Sequence, residues 1–492
     1  MGVVCNDIDN YKILRYNLVN HILVFVAMGA KFMFIGRDKE LNHLNQLYKT
    51  SAFQFPVIYG RRRVGKTALI NEFVKDKETI FFTGLETNAK QNLENFSKSI
   101  FYYTSGLSTN PIFPSFQDAL EHVFALSDDK RIILVIDEYP YVARAYKGFA
   151  SILQVLIDRH KDRSKLFLIL CGSSMSFMEE QVLGYKSPIY GRRTAQFKIS
   201  PFDFFESCLC FNNFSPYEMA MIYGMAGGTP QYLLQMSDNL TVEENIKHTF
   251  LRTTSYLFEE PNNFLKQEVR EPAIYNAIIS AVAGGGTKLS EISGKVGEQT
   301  SACAAYLKTL ISLGIIKKET PITEKSSKKT IYSIADNMFR FWYRFIPSNM
   351  SIIQNDMIEA AYKNIAVHLS SYMGVVFEEI CKQYLWKLNR EGKIITFMDL
   401  GRWWGGSPVT KREAEIDILA VIDKDSAIFC ECKWTNEDVD LSVLESLIQR
   451  SGLFSFQYKY FYLFSKNGFT AGCVKRAKEL GNIELVAYAD ML

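Results

Sequence analysis

The chain has 492 residues, 48% hydrophobic and 22% charged, an ordinary globular mix with material for several cores. Its formal net charge of +3 excludes a global field of the kind that draws a whole protein onto nucleic acid, so any basic surface is local. The nine cysteines form no C-x-x-C pair and the six histidines no ligand-spaced cluster, which argues against a zinc site and for reduced thiols.

Residues 1–33 read as an N-terminal extension. Its apolar stretch Ile22–Ala30 is too short to span a bilayer, so no stable membrane insertion is expected. Three readings stay open: a signal peptide, a weakly ordered extension, or a start codon assigned too early, with Met28 or Met33 as the true start. Asn6 stands where the myristoylation pattern needs Ser or Thr. The nucleotide-type loop downstream favours a cytoplasmic location.

From Phe34 to about residue 200 the pattern alternates apolar strands with amphipathic helices, which predicts parallel βαβ units. Strands are expected at Pro56–Tyr59, Thr79–Thr83, Ile132–Ile136, Leu166–Cys171 and Ala195–Ile199, with helices such as Lys66–Val74 and Phe149–Arg159 between them. In "YGRRRVGKT", Gly60, Gly65, Lys66 and Thr67 fit the phosphate-binding pattern G-x-x-x-x-G-K-[ST]. A strand leads in and a helix leads out, as that pattern requires. Loop N–H groups and Lys66 would hold the phosphates of ATP, and the Thr67 hydroxyl would bind Mg²⁺.

In "IILVIDEYPYV" an apolar strand ends in Asp137 and Glu138. The first carboxylate can reach the metal and the second can polarise an attacking water. "LFLILCGSSMSFM" ends another strand in Ser173 and Ser174. Ser173 is expected either near the terminal phosphate, between the loop and Asp137, or as a helix cap. "YGRRT" offers Arg192 and Arg193 before a strand, one as an arginine finger or both as a solvated turn. Arg61 to Arg63 fill the variable positions of the loop. Loop side chains point away from the backbone nest, so the triplet is expected to face outward, toward an anion or simply toward water.

Residues 201–267 read as mainly helical, with a Gly227-Gly228-Thr229-Pro230 break. Residues 268–336 read as helices Ile274–Val282, Lys288–Val296 and Ser301–Leu313, then strands Ile315–Glu319 and Thr330–Ile334, the order of a winged helix. The third helix carries Lys308 as its one basic residue and has no Arg, Asn or Gln to read base edges. The wing holds Lys317, Lys318, Lys325, Lys328 and Lys329, which suit phosphate contact and hence mostly non-specific DNA binding. Packing as a regulatory lid is the other reading.

Residues 337–372 read as a helical linker and 373–492 as a second α/β domain with a hairpin at Glu415–Trp434. Glu431 and Lys433 share one face of their strand. With Ile422 paired to Ser426, Asp417 falls opposite Glu431 on the same face; a slip by one residue would separate them. Two carboxylates and a lysine around one point can bind Mg²⁺ and steady a water or a developing phosphorane. Arg402, Trp403 and Trp404 precede Gly405-Gly406, one Trp being a candidate for base stacking and both for core packing.

Taken together, "FIGRDKEL", "YGRRRVGKT", "LVIDEYPYV", "CGSSMSFM", "YGRRT", "ISPF" and "GGTPQYL" resemble the archaeal-type ATPase family, of the AAA+-related, signal-transducing branch of P-loop NTPases. The resemblance covers about Phe34 to Leu234. It implies a five-stranded parallel P-loop NTPase sheet with a helical lid and winged helix, Gly36 and Arg37 beside the nucleotide, and Pro230 of the lid touching it. "GVVFEEICKQYL", "EIDILAVI" and "AIFCECKW" resemble the PD-(D/E)XK nuclease family and, more closely, the C-terminal domain of uncharacterised function that accompanies this ATPase. That implies a C-terminal α/β restriction-endonuclease-like domain with Asp417, Glu431 and Lys433 as its motif, and Glu378 as an extra metal-binding acid, with Glu379 competing for that place. The expected activity is ATP binding and hydrolysis with Mg²⁺, gating DNA processing; the alternative is a nucleotide-driven switch on protein partners with an inert nuclease fold. A homo-oligomer is left open by the sequence.

Overall fold

Five short apolar runs become parallel strands: β1 (Pro56–Tyr59), β2 (Thr79–Thr83), β3 (Ile133–Asp137), β4 (Phe167–Gly172) and β5 (Ala195–Lys198). The computed structural model describes residues 34–106, 111–324, 329–406 and 411–492. The expectations for residues 1–33, and for Lys325 and Lys328 of the wing, lie outside the described residues. The sheet order is β2-β3-β4-β1-β5. β1, β3 and β4 are buried along their whole length, as continuous apolar strands covered on both faces should be. Because β4 lies between β1 and β3, the ends of all three meet along one edge, below the loop that follows β1.

The lid is built from helices Phe204–Cys208, Pro216–Ala226, Pro230–Leu233, Val242–Thr249 and Glu260–Glu268. Asp203, Ser215 and Thr241 each close a capping box with a glutamate three residues on, which sets three of these helix starts locally. Helices Pro272–Ala283, Leu289–Val296 and Thr300–Ser312 follow, then β6 (Ile316–Glu319) and β7 (Ile331–Ile334), an antiparallel pair. That is the element order expected for a winged helix. Lys317 is ion-paired with Glu319 at 3.1 Å and Glu379 at 3.5 Å, and Lys329 with Glu324 at 2.6 Å.

Helix Asn337–Gln354 leads to Ile358–Arg390, a 33-residue helix that runs straight through residues 372 and 373. The linker and the next domain therefore share one helix. The second sheet has the order β12-β11-β10-β9-β8, from β8 (Asp399–Gly406), β9 (Glu413–Val421), β10 (Ser426–Lys433), β11 (Tyr458–Ser465) and β12 (Ile483–Ala487). β8, β9 and β10 are antiparallel; β10, β11 and β12 are parallel. Cys381, Ile418, Ile428 and Cys430 pack on the long-helix face, and Leu419, Phe429, Leu444 and Cys473 on the other. Trp403 belongs to that second core, edge-on to Phe454 at 4.7 Å, while the Trp404 indole donates to the Lys329 carbonyl at 3.2 Å. Among the described residues no helix is long and apolar enough to cross a membrane.

Candidate functional site

The loop after β1 is forced into shape by its glycines. A Cβ on Gly60 would lie 2.3 Å from the Ile199 carbonyl oxygen, and Gly65 has φ +87° where it opens helix Lys66–Val74. Lys66 is buried, and its ammonium donates to the Arg61 carbonyl at 2.9 Å, folded over its own loop. The Thr67 hydroxyl donates to Asp137 Oδ2 at 3.1 Å, joining helix Lys66–Val74 to the end of β3. A hydroxyl and a carboxylate oxygen so placed fit a hard divalent cation such as Mg²⁺.

Glu138 has φ +49°, a left-handed backbone that costs a non-glycine residue roughly 1–2 kcal/mol. Two contacts hold it there. Its N–H donates to Asp137 Oδ1 at 3.0 Å, and its Oε2 accepts from the Ser173 hydroxyl at 2.9 Å. Lys66, Thr67, Asp137, Glu138 and Ser173 are thus brought to one edge of the sheet.

Gly36 and Arg37 enter from the N-terminal side. Arg37 is buried over the Phe202 ring at 4.6 Å and donates to the carbonyls of Val64, at 3.2 Å, and Ser200. Gly36 has φ +67°, and a Cβ there would sit 2.9 Å from the same ring. Arg37 therefore braces the loop through its backbone. Pro230 approaches from the lid: a Cβ on Gly65 would lie 3.7 Å from its ring.

The arginine triplet does not face outward. Arg61 is buried, donates to the Thr229 hydroxyl at 2.5 Å and is ion-paired with Asp336. Arg62 donates to the Tyr141 hydroxyl at 2.7 Å and pairs with Glu268 at 3.3 Å. Arg63, at φ +73°, pairs with Glu260, which also accepts from the Tyr232 hydroxyl at 2.6 Å. The outward expectation holds for a bare loop. Here the lid and the start of the helix after β7 cover it, and each guanidinium is taken by a carboxylate from those elements. Nothing in the sequence near Asp336, Glu260 or Glu268 marks them as partners.

Arg192 and Arg193 lie elsewhere. Arg192 grips Asp158 with two hydrogen bonds, at 2.9 and 2.6 Å, and Arg193 lies over the Tyr190 ring at 5.6 Å. Neither has a recorded contact to Lys66, Asp137 or Glu138 among the described residues.

In the second sheet β9 and β10 pair as Val421 with Ala427 through Ile418 with Cys430, and the pairing ends there, one residue short of Asp417 and Glu431, where β9 also carries an irregularity against β8. Asp417 Oδ2 accepts from the Cys432 N–H at 2.9 Å. Glu431 is buried; Lys433 donates to its Oε1 and Arg450 to its Oε2, both at 2.7 Å. Burial, reinforced by Glu431, pushes the Asp417 carboxyl up to about 6. Burial, reinforced by Asp417, pushes Glu378 up to about 7. Glu379 instead is held below the usual range: burial raises it, but Lys317, Lys382 and Arg340 outweigh that. Glu378 thus feels the Asp417 charge, with Arg402 and Lys382 opposing it, while Glu379 is ion-paired with Lys317 at 3.5 Å. Among the described residues Asp417, Glu431 and Glu378 do not gather into a group that could hold a metal ion, and both Glu431 oxygens are taken by Lys433 and Arg450; the metal-binding set expected from the sequence is not assembled in this structure. Arg450, from helix Leu441–Ser451, has no sequence signal that would have placed it here.

A family model for an ATPase domain predominantly from Archaea matches residues 34–236, and one for archaeal and bacterial proteins of unknown function matches residues 342–444. An uncharacterized protein of Methanocaldococcus jannaschii is 36% identical over 426 residues, 86% of this chain and 92% of its own length. An uncharacterized ATP-binding protein of the same organism is 41% identical over 46 residues, 9% of this chain and 78% of its own length. Among solved structures, a Walker-type ATPase of Pyrococcus abyssi has a TM-score of 0.47 at 19% identity, covering 63% of this chain and 96% of its own. The ORC2 protein of Aeropyrum pernix has a TM-score of 0.44 at 16% identity, covering 65% and 94%.

Proposed function

Because the chain belongs to the archaeal-type ATPase family, we propose that it binds and hydrolyses ATP at the edge formed by β1, β3 and β4 and uses the cycle to gate DNA processing by its C-terminal domain. In this reading the loop N–H groups and Lys66 hold the phosphates, and Thr67 and Asp137 hold Mg²⁺. The metal, when bound, neutralises charge on the phosphate oxygens. Glu138 orients the attacking water, and Ser173 keeps its carboxylate aimed. Arg37 positions the loop through the Val64 carbonyl. The observation that carries the reading is the Thr67–Asp137 hydrogen bond beside the Ser173–Glu138 one, which joins the three strand ends into one acid-and-hydroxyl array under the phosphate loop.

Gating is supported by Arg61. It ties the phosphate loop to Asp336, from which helix Asn337–Gln354 leads toward the C-terminal domain. For Asp417, Glu431 and Glu378 to hold Mg²⁺ there, Glu431 would first have to release Lys433 and Arg450 and the three acids to draw together; the freed Lys433 would then steady the attacked phosphate. The test is cleavage of duplex DNA by the intact chain with Mg²⁺, with and without ATP.

A second reading, a nucleotide-driven switch on protein partners, draws on Glu431, whose two oxygens are both engaged by cations. Duplex binding that weakens steeply with salt favours the first reading; indifference to DNA with intact ATP turnover favours the second.

A further inference from the structure

The lid helix Glu260–Glu268 sends two carboxylates to the phosphate loop. Glu260, near its start, is satisfied by Arg63 and by the Tyr232 hydroxyl. Glu268, at its end, is not. It lies 3.3 Å from Arg62 Nε, its side chain is 4% exposed, and its Oε1 has no hydrogen-bond partner among the described residues. That oxygen is thus held by the Arg62 charge alone, without a hydrogen bond, a weak tether for a buried carboxylate oxygen. Burial pushes its pKa up; Arg62, then Lys66, pull it down, and Glu138 opposes them. Arg62, its ion-pair partner, belongs to the phosphate loop, and Lys66 and Glu138, whose charges also reach it, belong to the machinery that meets the terminal phosphate of a nucleoside triphosphate.

We propose that Glu268 is a specificity-determining residue that makes the lid, in this closed position, favour a nucleoside diphosphate over a triphosphate. The proposal rests on the ATP-binding reading above. Glu268 supplies negative charge to Arg62 and Lys66, the charge that a third phosphate would otherwise supply. A diphosphate leaves that role to Glu268. A triphosphate brings a second anion to the same cations, in a site largely shielded from water where like charges repel strongly. The triphosphate must therefore displace Glu268, and with it the end of the lid helix. The diphosphate need not.

The test compares the dissociation constants of ADP and of the non-hydrolysable triphosphate adenylyl imidodiphosphate, each with Mg²⁺, on the full chain. Wild type is expected to prefer ADP. Glu268→Gln, which keeps the shape and removes the charge, should tighten the triphosphate roughly tenfold and change ADP little. Glu268→Ala should shift the ratio in the same direction. A wild type that prefers the triphosphate overturns the proposal without need of any variant, and so does a ratio unchanged in both variants. Failure of both nucleotides to bind wild type and variants alike contradicts the ATP-binding reading, and this inference falls with it. Binding with an unchanged ratio contradicts Glu268's role alone.

Discussion

Arg61 in the phosphate loop is ion-paired with Asp336, 275 residues away, and the side chains are only 4% and 5% exposed. Asp336 is also the cap of helix Asn337–Gln354, accepting from the Phe339 N–H at 3.1 Å. One carboxylate thus holds both the nucleotide loop and the start of the connecting helix. Removing one partner of such a pair strands a buried charge, so Arg61→Ala should cost about 3–5 kcal/mol. In an Asp336→Asn background the same change should cost much less. A double-mutant cycle by denaturant unfolding measures this, and strict additivity would show that the pair is not coupled.

In the reading proposed for the C-terminal domain, variants of the second site separate DNA cleavage from ATP turnover. Asp417→Ala and Lys433→Ala should abolish Mg²⁺-dependent DNA cleavage and leave ATP hydrolysis in place. Arg450→Gln removes a cation that competes for Glu431 Oε2, so half-maximal cleavage should need a few-fold less Mg²⁺. Cleavage that survives both Asp417→Ala and Lys433→Ala would leave this domain a docking module.

The raised acids give a pH signature. Glu378, at about 7, and Asp417, at about 6, bind protons in the folded chain at pH values where the unfolded chain has released them. Stability from these groups therefore falls as pH rises from about 4 through 7. Glu378→Gln removes one of them. Its melting temperature should exceed that of wild type at pH 8, and the gap should close by pH 5. An equal gap at both pH values would place Glu378 outside the acid pair.

Much of this was readable locally. The run from β1 through Gly65 into helix Lys66–Val74 is set by neighbouring residues, and so is the β9–β10 register, which the short turn Asp423–Asp425 pins. The acid ending β3 also follows from its own apolar run. The partners of Arg61 to Arg63 were not readable, because Asp336, Glu260 and Glu268 come from remote elements whose local patterns are ordinary helix ends. The outward reading assumed water above the loop, where the lid in fact lies. The unbroken helix Ile358–Arg390 escapes for a different reason: the return of the α/β pattern near residue 373 reads as a boundary, but the helix runs across it with Leu369, Tyr372, Met373, Val376 and Phe377 all buried.

ATP hydrolysis at the β1–β3–β4 edge is tested by steady-state MgATP turnover of wild type, Lys66→Ala and Glu138→Gln, with nucleotide affinity measured alongside. Lys66→Ala should lose both tight binding and turnover. Glu138→Gln should retain binding, because Thr67 and Asp137 remain, and lose turnover by roughly two orders of magnitude or more, because the water is no longer oriented. Turnover unchanged in both variants would show that Lys66 and Glu138 do not form the ATP-hydrolysing site.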